Sequence, residues 1–156
     1  MKLCILTGSK RNCFGGVYTE LFTGSFVQSL FFKFADAYET LHIFGVLGAW
    51  SGFQWFADYG AYGVGVVELI ASILLLTPLR LYGAAIASGV MTGAVFFHLC
   101  TPLGIAMPEF DDMGNIIGDD GGLLFYNACG LLVSGIILTI LEFINTDNKV
   151  KQYLQS

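Results

Sequence analysis

Two ionisable side chains lie in stretches that are otherwise apolar enough to enter a lipid bilayer. Glu68 is the only formal charge between Gly60 and Leu79, and His98 lies in an uncharged run that ends near Gly104. A carboxylate at the centre of a bilayer costs about 2.5–3.5 kcal/mol, so it predicts a functional site by default. A buried glutamate and histidine that meet can hold and release one proton, or hydrogen-bond to a quinone-like carbonyl.

Two amide side chains lie at a similar depth. With a helical rise of about 1.5 Å per residue, Gln28, Glu68, His98 and Asn127 all fall roughly 8–12 Å inside the outer edge of their spans. Small residues flank them at helical spacing, which is typical of close helix–helix contacts in lipid. We therefore predict a Glu68–His98 pair inside a helical bundle, lined also by Gln28 and Asn127, with Tyr126 nearby.

The elements that carry these residues are apolar helices. The chain has 156 residues, of which 12% are charged, and its mean hydropathy is +0.70. Soluble domains carry about 25% charged residues. We predict an all-α membrane protein, a single domain over residues 1–156 that forms an antiparallel bundle of four transmembrane helices. The predicted spans are residues 15–35, 60–79, 82–104 and 122–143.

Two polar or aromatic segments connect the spans. Residues 36–58 include Trp50 and Trp55 and predict an amphipathic interfacial segment between the first two helices. Residues 108–121 form an acidic loop without the spacing of a calcium-binding loop. We predict a turn there, followed by capping of the last span by Asp119 or Asp120.

The basic residues predict the topology. If the spans alternate, six of the seven lysines and arginines fall on one side, and Lys33, beside Asp36, is the exception. The positive-inside rule then places both termini in the cytoplasm, in the inner (plasma) membrane of a bacterium. Basic and aromatic residues form no nucleic-acid surface, so we expect no nucleic-acid partner.

Metal and thiol chemistry have little support. A zinc site has about three or four protein ligands, and Glu68 and His98 supply only two, so no metal is predicted. The cysteines form no C-x-x-C pair. Cys100 and Cys129 are compatible with free thiols or with a disulfide near the outer leaflet.

Three stretches resemble the DoxX family of small four-helix membrane proteins, and more distantly the MauE-type redox-associated proteins. These are FVQSLFFKFAD, GVGVVELIASILLLTPLRLYGAAIASGVMTGAVFFH and DGGLLFYNACG, within residues 25–135. Glu68, Arg80 and His98 match the family's ordered motif of an acid, a basic residue in the inner turn and a histidine.

The resemblance implies a small integral membrane subunit of a quinone- or quinol-linked redox system. In this hypothesis Glu68 is the proton acceptor and His98 its hydrogen-bond or proton partner. Gln28, Asn127, Tyr126 and Arg80 are the candidate ligand-binding residues, and a quinone is the candidate cofactor. The expected partners are the bilayer and membrane or redox proteins, or a second copy of the chain. No complete catalytic motif is present, so whether the chain is itself an enzyme stays open.

Two other functions remain compatible with the sequence. The chain can be a non-enzymatic structural or assembly subunit whose polar cluster only fixes helix packing, with Arg80 as a topology anchor. A proton-coupled carrier is less well supported, because four helices leave little room for alternating access and the sequence contains no inverted repeat.

Overall fold

The computed structural model describes residues 10–35 and 37–154. In these residues the fold is helical except for one short β-hairpin. The helices are α1 (Lys10–Phe34), α2 (Tyr38–Ser51), α3 (Gln54–Leu76), α4 (Arg80–Cys100) and α5 (Leu123–Leu154), and the hairpin strands are β1 (Pro108–Phe110) and β2 (Ile116–Asp119).

Three of the described helices are long and apolar enough to cross a membrane. They are α3, α4 and the Leu123–Thr146 part of α5. These helices indicate an integral membrane protein. Helix α1 has 25 residues, but Glu20, Gln28 and Lys33 interrupt its apolar sequence, and it is not one of the three.

The long helices pack around a common apolar core. Helix α4 lies between α3 and α5, and α1 contacts both α3 and α5. Helix α2 packs outside this group, against α3 and strand β1. The side chains most deeply buried in the core are Phe22, Phe26, Leu75 and Leu138.

Glycines set the closest helix contacts. A methyl group added at Gly83 on α4 would stand 2.7 Å from the backbone nitrogen of Leu75 and 3.0 Å from the carbonyl oxygen of Ala71, both on α3. A methyl group at Gly135 on α5 would stand 2.6 Å from the hydroxyl of Ser88. Small residues at these positions let the backbones approach as they do at interfaces within membranes.

The helix boundaries differ from those that the apolar pattern predicts. The segment predicted to be interfacial contains helix α2, and Gly52 follows its last residue in the left-handed conformation, with φ of 74°. Helix α3 then begins at Gln54 instead of Gly60, so Trp55 belongs to it. Helices α1 and α5 likewise extend past the predicted spans, to Lys10 and Leu154. The apolar pattern indicates which residues are compatible with contact to lipid. Helical hydrogen bonding can continue beyond those residues, until a residue or turn interrupts it.

The acidic loop contains the antiparallel hairpin of β1 and β2. At its tip the Asp111 carboxylate accepts hydrogen bonds from the backbone of Met113 and from the backbone and side chain of Asn115. The side-chain bond from Asn115 and these backbone bonds lower the pKa of Asp111. The ring of Phe110 lies 5.8 Å from that of His42 on α2. The hairpin and α2 therefore cover the same end of the bundle.

Candidate ligand-binding cavity

A cavity of about 1450 Å³ lies between the helices and under the hairpin. Its walls are mostly apolar and come from all five described helices, with Phe26, Phe44 and Phe97 among them. Both Gln28 on α1 and Leu124 on α5 line it while remaining exposed. Tyr59 and Val67 on α3 also line it and are exposed, so the cavity is open to the surroundings. Ligand pockets in proteins combine such apolar walls with a few polar groups.

Glu68 lies in the wall of this cavity, about 21 Å along α3 from its first residue. It is 2% exposed. The ammonium nitrogen of Lys33, in the last turn of α1, donates to both carboxylate oxygens, at 3.0 and 2.9 Å, and also to the hydroxyl of Ser29. The intramembrane carboxylate is thus neutralised by a lysine on the neighbouring helix.

The prediction that Glu68 pairs directly with His98 is therefore wrong. Both side chains line the cavity, but Glu68 forms an ion pair with Lys33, and His98 hydrogen-bonds to the backbone carbonyl of Gly104. The lysine side chain is long enough to turn from the helix end into the bundle. An ammonium group also offsets the cost of burying a carboxylate more fully than an uncharged group does.

His98 lies near the end of α4 and is 7% exposed. Its Nδ1 atom is 2.6 Å from the carbonyl oxygen of Gly104. Gly104 has φ of 76°, a left-handed conformation that suits glycine and turns the chain back over the end of α4. The ring of Phe125 on α5 lies 5.7 Å from the imidazole. These contacts hold the imidazole at the cavity wall.

The other predicted site residues divide into two groups. Gln28 and Asn127 line the cavity and are exposed, which places them at its opening. Tyr126 is 64% exposed and contacts the ring of Phe125, and Arg80 is exposed at the first residue of α4. Neither Tyr126 nor Arg80 is among the residues that line the cavity. The structure thus brings Glu68, His98, Gln28 and Asn127 together and leaves Tyr126 and Arg80 outside.

Asp120 fixes the hairpin end of the cavity. Its carboxylate accepts hydrogen bonds from the backbone nitrogens of Met107, Gly122 and Leu124, at 2.7, 2.9 and 3.0 Å. Partial burial favours a higher pKa, but these bonds, with the charge interaction with His98, bring the net pKa below its usual value. The predicted capping of the last long helix is confirmed at Asp120.

The described residues hold no group of three or more histidine, cysteine or acidic side chains placed to bind a metal ion. Cys100 is exposed and Cys129 is half-buried, and both are free thiols. The sequence analysis missed Lys33 as the partner of Glu68. The signal was available, because Lys33 is the one basic residue that breaks the charge asymmetry, and buried charges in membranes pair with one another.

Comparisons with protein-family models, with curated proteins and with solved structures found no match for this chain. A function therefore has to be argued from the cavity and its polar groups.

Proposed function

We propose that this chain is a four-helix integral membrane protein that binds a quinone or quinol from the bilayer for a membrane redox system. One observation carries the proposal: a large, mostly apolar cavity that is open to the surroundings is lined by an ion pair and a histidine. A lipid-like molecule with a small polar head matches this distribution of surface.

The chemistry of a quinone fits the cavity in two respects. Its isoprenoid tail gains from contact with apolar walls, and because the cavity is open to the surroundings the tail can remain partly in lipid. The ring oxygens of a quinone or quinol need polar partners away from water, and the buried polar groups of Glu68, Lys33 and His98 at the wall include both hydrogen-bond donors and acceptors. The resemblance to the DoxX family points to the same class of ligand.

The fourth crossing in this proposal is α1. Lys33 is one of its charged residues, and the ion pair with Glu68 reduces the cost of placing that lysine in a bilayer. A lysine turned into the bundle is also a weak topological signal, so the remaining basic residues decide the orientation. We infer that the termini are cytoplasmic and that α2 and the hairpin lie on the outer side of a bacterial inner membrane.

Tryptophan fluorescence tests the proposal. The chain has two tryptophans, and Trp55 lines the cavity. With Trp50→Phe, Trp55 becomes the single reporter, and quinones quench indole fluorescence on contact. In lipid nanodiscs, we expect saturable quenching by a short-chain ubiquinone, reversed by an excess of a non-quenching quinol ether. Linear quenching equal to that of a membrane-bound tryptophan ester in empty nanodiscs would contradict the proposal.

A structural subunit is the second candidate, because two polar contacts join helices directly. The Lys33–Glu68 pair joins α1 to α3, and the hydroxyls of Ser88 and Thr139, 3.4 Å apart, join α4 to α5. In this case Glu68→Gln lowers the thermal stability or the yield of a complex, and wild-type protein shows no saturable quinone binding. The quenching experiment separates the two functions.

A further inference from the structure

The hydrogen bond to Gly104 fixes which nitrogen of His98 carries the proton. A carbonyl oxygen only accepts hydrogen bonds, so the Nδ1 atom at 2.6 Å must be the donor. In the neutral imidazole the other nitrogen, Nε2, then has a free lone pair and is an acceptor.

This acceptor is not fully buried, and His98 is one of the residues that line the cavity. Among the described residues Nε2 has no hydrogen-bond partner, and the single buried side-chain nitrogen or oxygen without a partner there is Thr23 Oγ1. Nε2 therefore keeps some accessible surface, although the histidine as a whole is 7% exposed. The surface that His98 retains lines the cavity.

The neighbouring cation is already occupied. The ammonium group of Lys33 has three protons, and it donates to Ser29 and to both oxygens of Glu68. A ligand that needs a donor must compete with these bonds, whereas a ligand that brings its own donor finds Nε2 free. The buried part of the cavity is thus prepared for a hydrogen-bond donor.

We propose that His98 in its neutral form accepts, at Nε2, a hydrogen bond from a ring hydroxyl of the ligand, so that the cavity selects the reduced, hydroquinone form over the quinone. This inference rests on the proposed function and names its ligand more closely. The ring oxygens of a quinone are carbonyl oxygens, which only accept hydrogen bonds. Nε2 would then form no hydrogen bond with them, because it is also an acceptor. A site that hydrogen-bonds a ligand hydroxyl discriminates against analogues that lack it, because its own polar group then stays unpaired.

Calorimetric titration of the protein in nanodiscs under anaerobic conditions tests the inference. The ligands are a short-chain ubiquinol, the matching ubiquinone and the ubiquinol dimethyl ether, which has the same ring but no hydroxyl. For the wild type we expect the ubiquinol to bind about tenfold more tightly than the other two, the effect of one net hydrogen bond.

Two variants separate the acceptor from the fold. In His98→Asn the amide nitrogen can still donate to the Gly104 carbonyl, but no atom stands at the Nε2 position. We expect this variant to bind ubiquinol about tenfold more weakly and ubiquinone unchanged. His98→Gln places an amide group near the Nε2 position and should restore part of the preference.

The outcomes are distinguishable. Equal wild-type affinities for ubiquinol, ubiquinone and the ether overturn the inference and leave the proposed function intact. A preference for ubiquinol that persists in His98→Asn also overturns it. Failure of all three ligands to bind the wild type overturns both proposals.

Discussion

Lys33 and Glu68 are the residues on which the interior of the bundle depends most. Glu68 is 2% exposed, and both oxygens of its carboxylate accept hydrogen bonds from the ammonium group of Lys33. Two charges taken from water into a low-dielectric interior are tolerated only as a pair. The consequence is an asymmetry between removing one partner and removing both.

We expect Lys33→Met to destabilise the protein by about 3–5 kcal/mol, because it leaves Glu68 buried without a counter-charge. The double variant Lys33→Met/Glu68→Met should recover most of that loss. Unfolding by sodium dodecyl sulfate in mixed micelles measures the free energy for both, with the exposed Glu109→Gln as the control. A double variant as unstable as Lys33→Met would show that the ion pair is not what the two side chains contribute.

Asp120 gives the hairpin end a pH-dependent stability. Its pKa is lowered in the folded protein from a value near 3.8, so the unfolded chain binds the proton more readily. The contribution is therefore complete above that value and is lost as the pH falls through the lower folded pKa.

Asp120→Asn should weaken the bonds to the backbone and flatten this dependence. We expect a loss of about 0.5–2 kcal/mol at neutral pH, the range for a helix-capping side chain. Thermal unfolding at several values between pH 2 and pH 7 measures it, with the exposed Asp112→Asn as the control. The assignment is wrong if Asp120→Asn and Asp112→Asn have the same pH profile.

Of the six site residues predicted from residue type and depth, four line the cavity and two do not. Glu68, His98, Gln28 and Asn127 line one cavity because each interrupts an apolar helix at a similar depth. The partner of Glu68 could not be found this way. A lysine near a helix end can turn outward to the headgroups or inward to a carboxylate, and helix packing decides which.

At the scale of elements, the close contact between α3 and α4 depends on Gly83, which has no side chain. A methyl group at Gly83 would meet backbone atoms of Leu75 and Ala71, which cannot move without shifting α3. At Gly89, on the same helix, a methyl group would meet nothing within 4 Å.

Gly83→Ala should therefore destabilise the protein by about 1–3 kcal/mol, the usual cost of overpacking. Gly89→Ala is the matched control, and we expect it to be neutral or to stabilise by about 0.5–1 kcal/mol through helix propensity. Thermal unfolding in detergent compares the two variants. Equal effects at both positions would mean that the α3–α4 backbones are not in close contact.

The apolar runs predict that long helices exist but not where they end. Helix α3 begins six residues before Gly60, and five of these, residues 54–58, belong to the predicted interfacial segment. Helix α1 is the least apolar of the four predicted crossings, and the ion pair with Glu68 accounts for one of its charged residues, Lys33. The hairpin of β1 and β2 has strands of three and four residues, too short for an alternating pattern to reveal.

For the whole molecule, the decisive feature is the cavity that all five described helices line. Its volume and opening depend on how helices pack, and hydropathy along the chain carries no information on either. Gly93 on α4 lines the cavity, and a side chain there would enter open space without meeting a neighbour. Gly130 on α5 also has open space but does not line the cavity.

These two glycines allow the cavity to be filled with a matched control. Gly93→Leu should leave the fold intact, because nothing within 4 Å opposes the first carbon of the new side chain. It should nevertheless weaken quinone or quinol binding by about tenfold or more, since the leucine occupies ligand space. Gly130→Leu should bind as the wild type does.

Native mass spectrometry of the gently extracted protein measures most directly whether the cavity holds a ligand. We predict that the wild type and Gly130→Leu each retain one molecule with the mass of a membrane quinone or quinol, and that Gly93→Leu loses it. A wild-type protein that carries no such molecule, or a Gly93→Leu variant that retains it at equal occupancy, would contradict the proposal that this cavity is a quinone site.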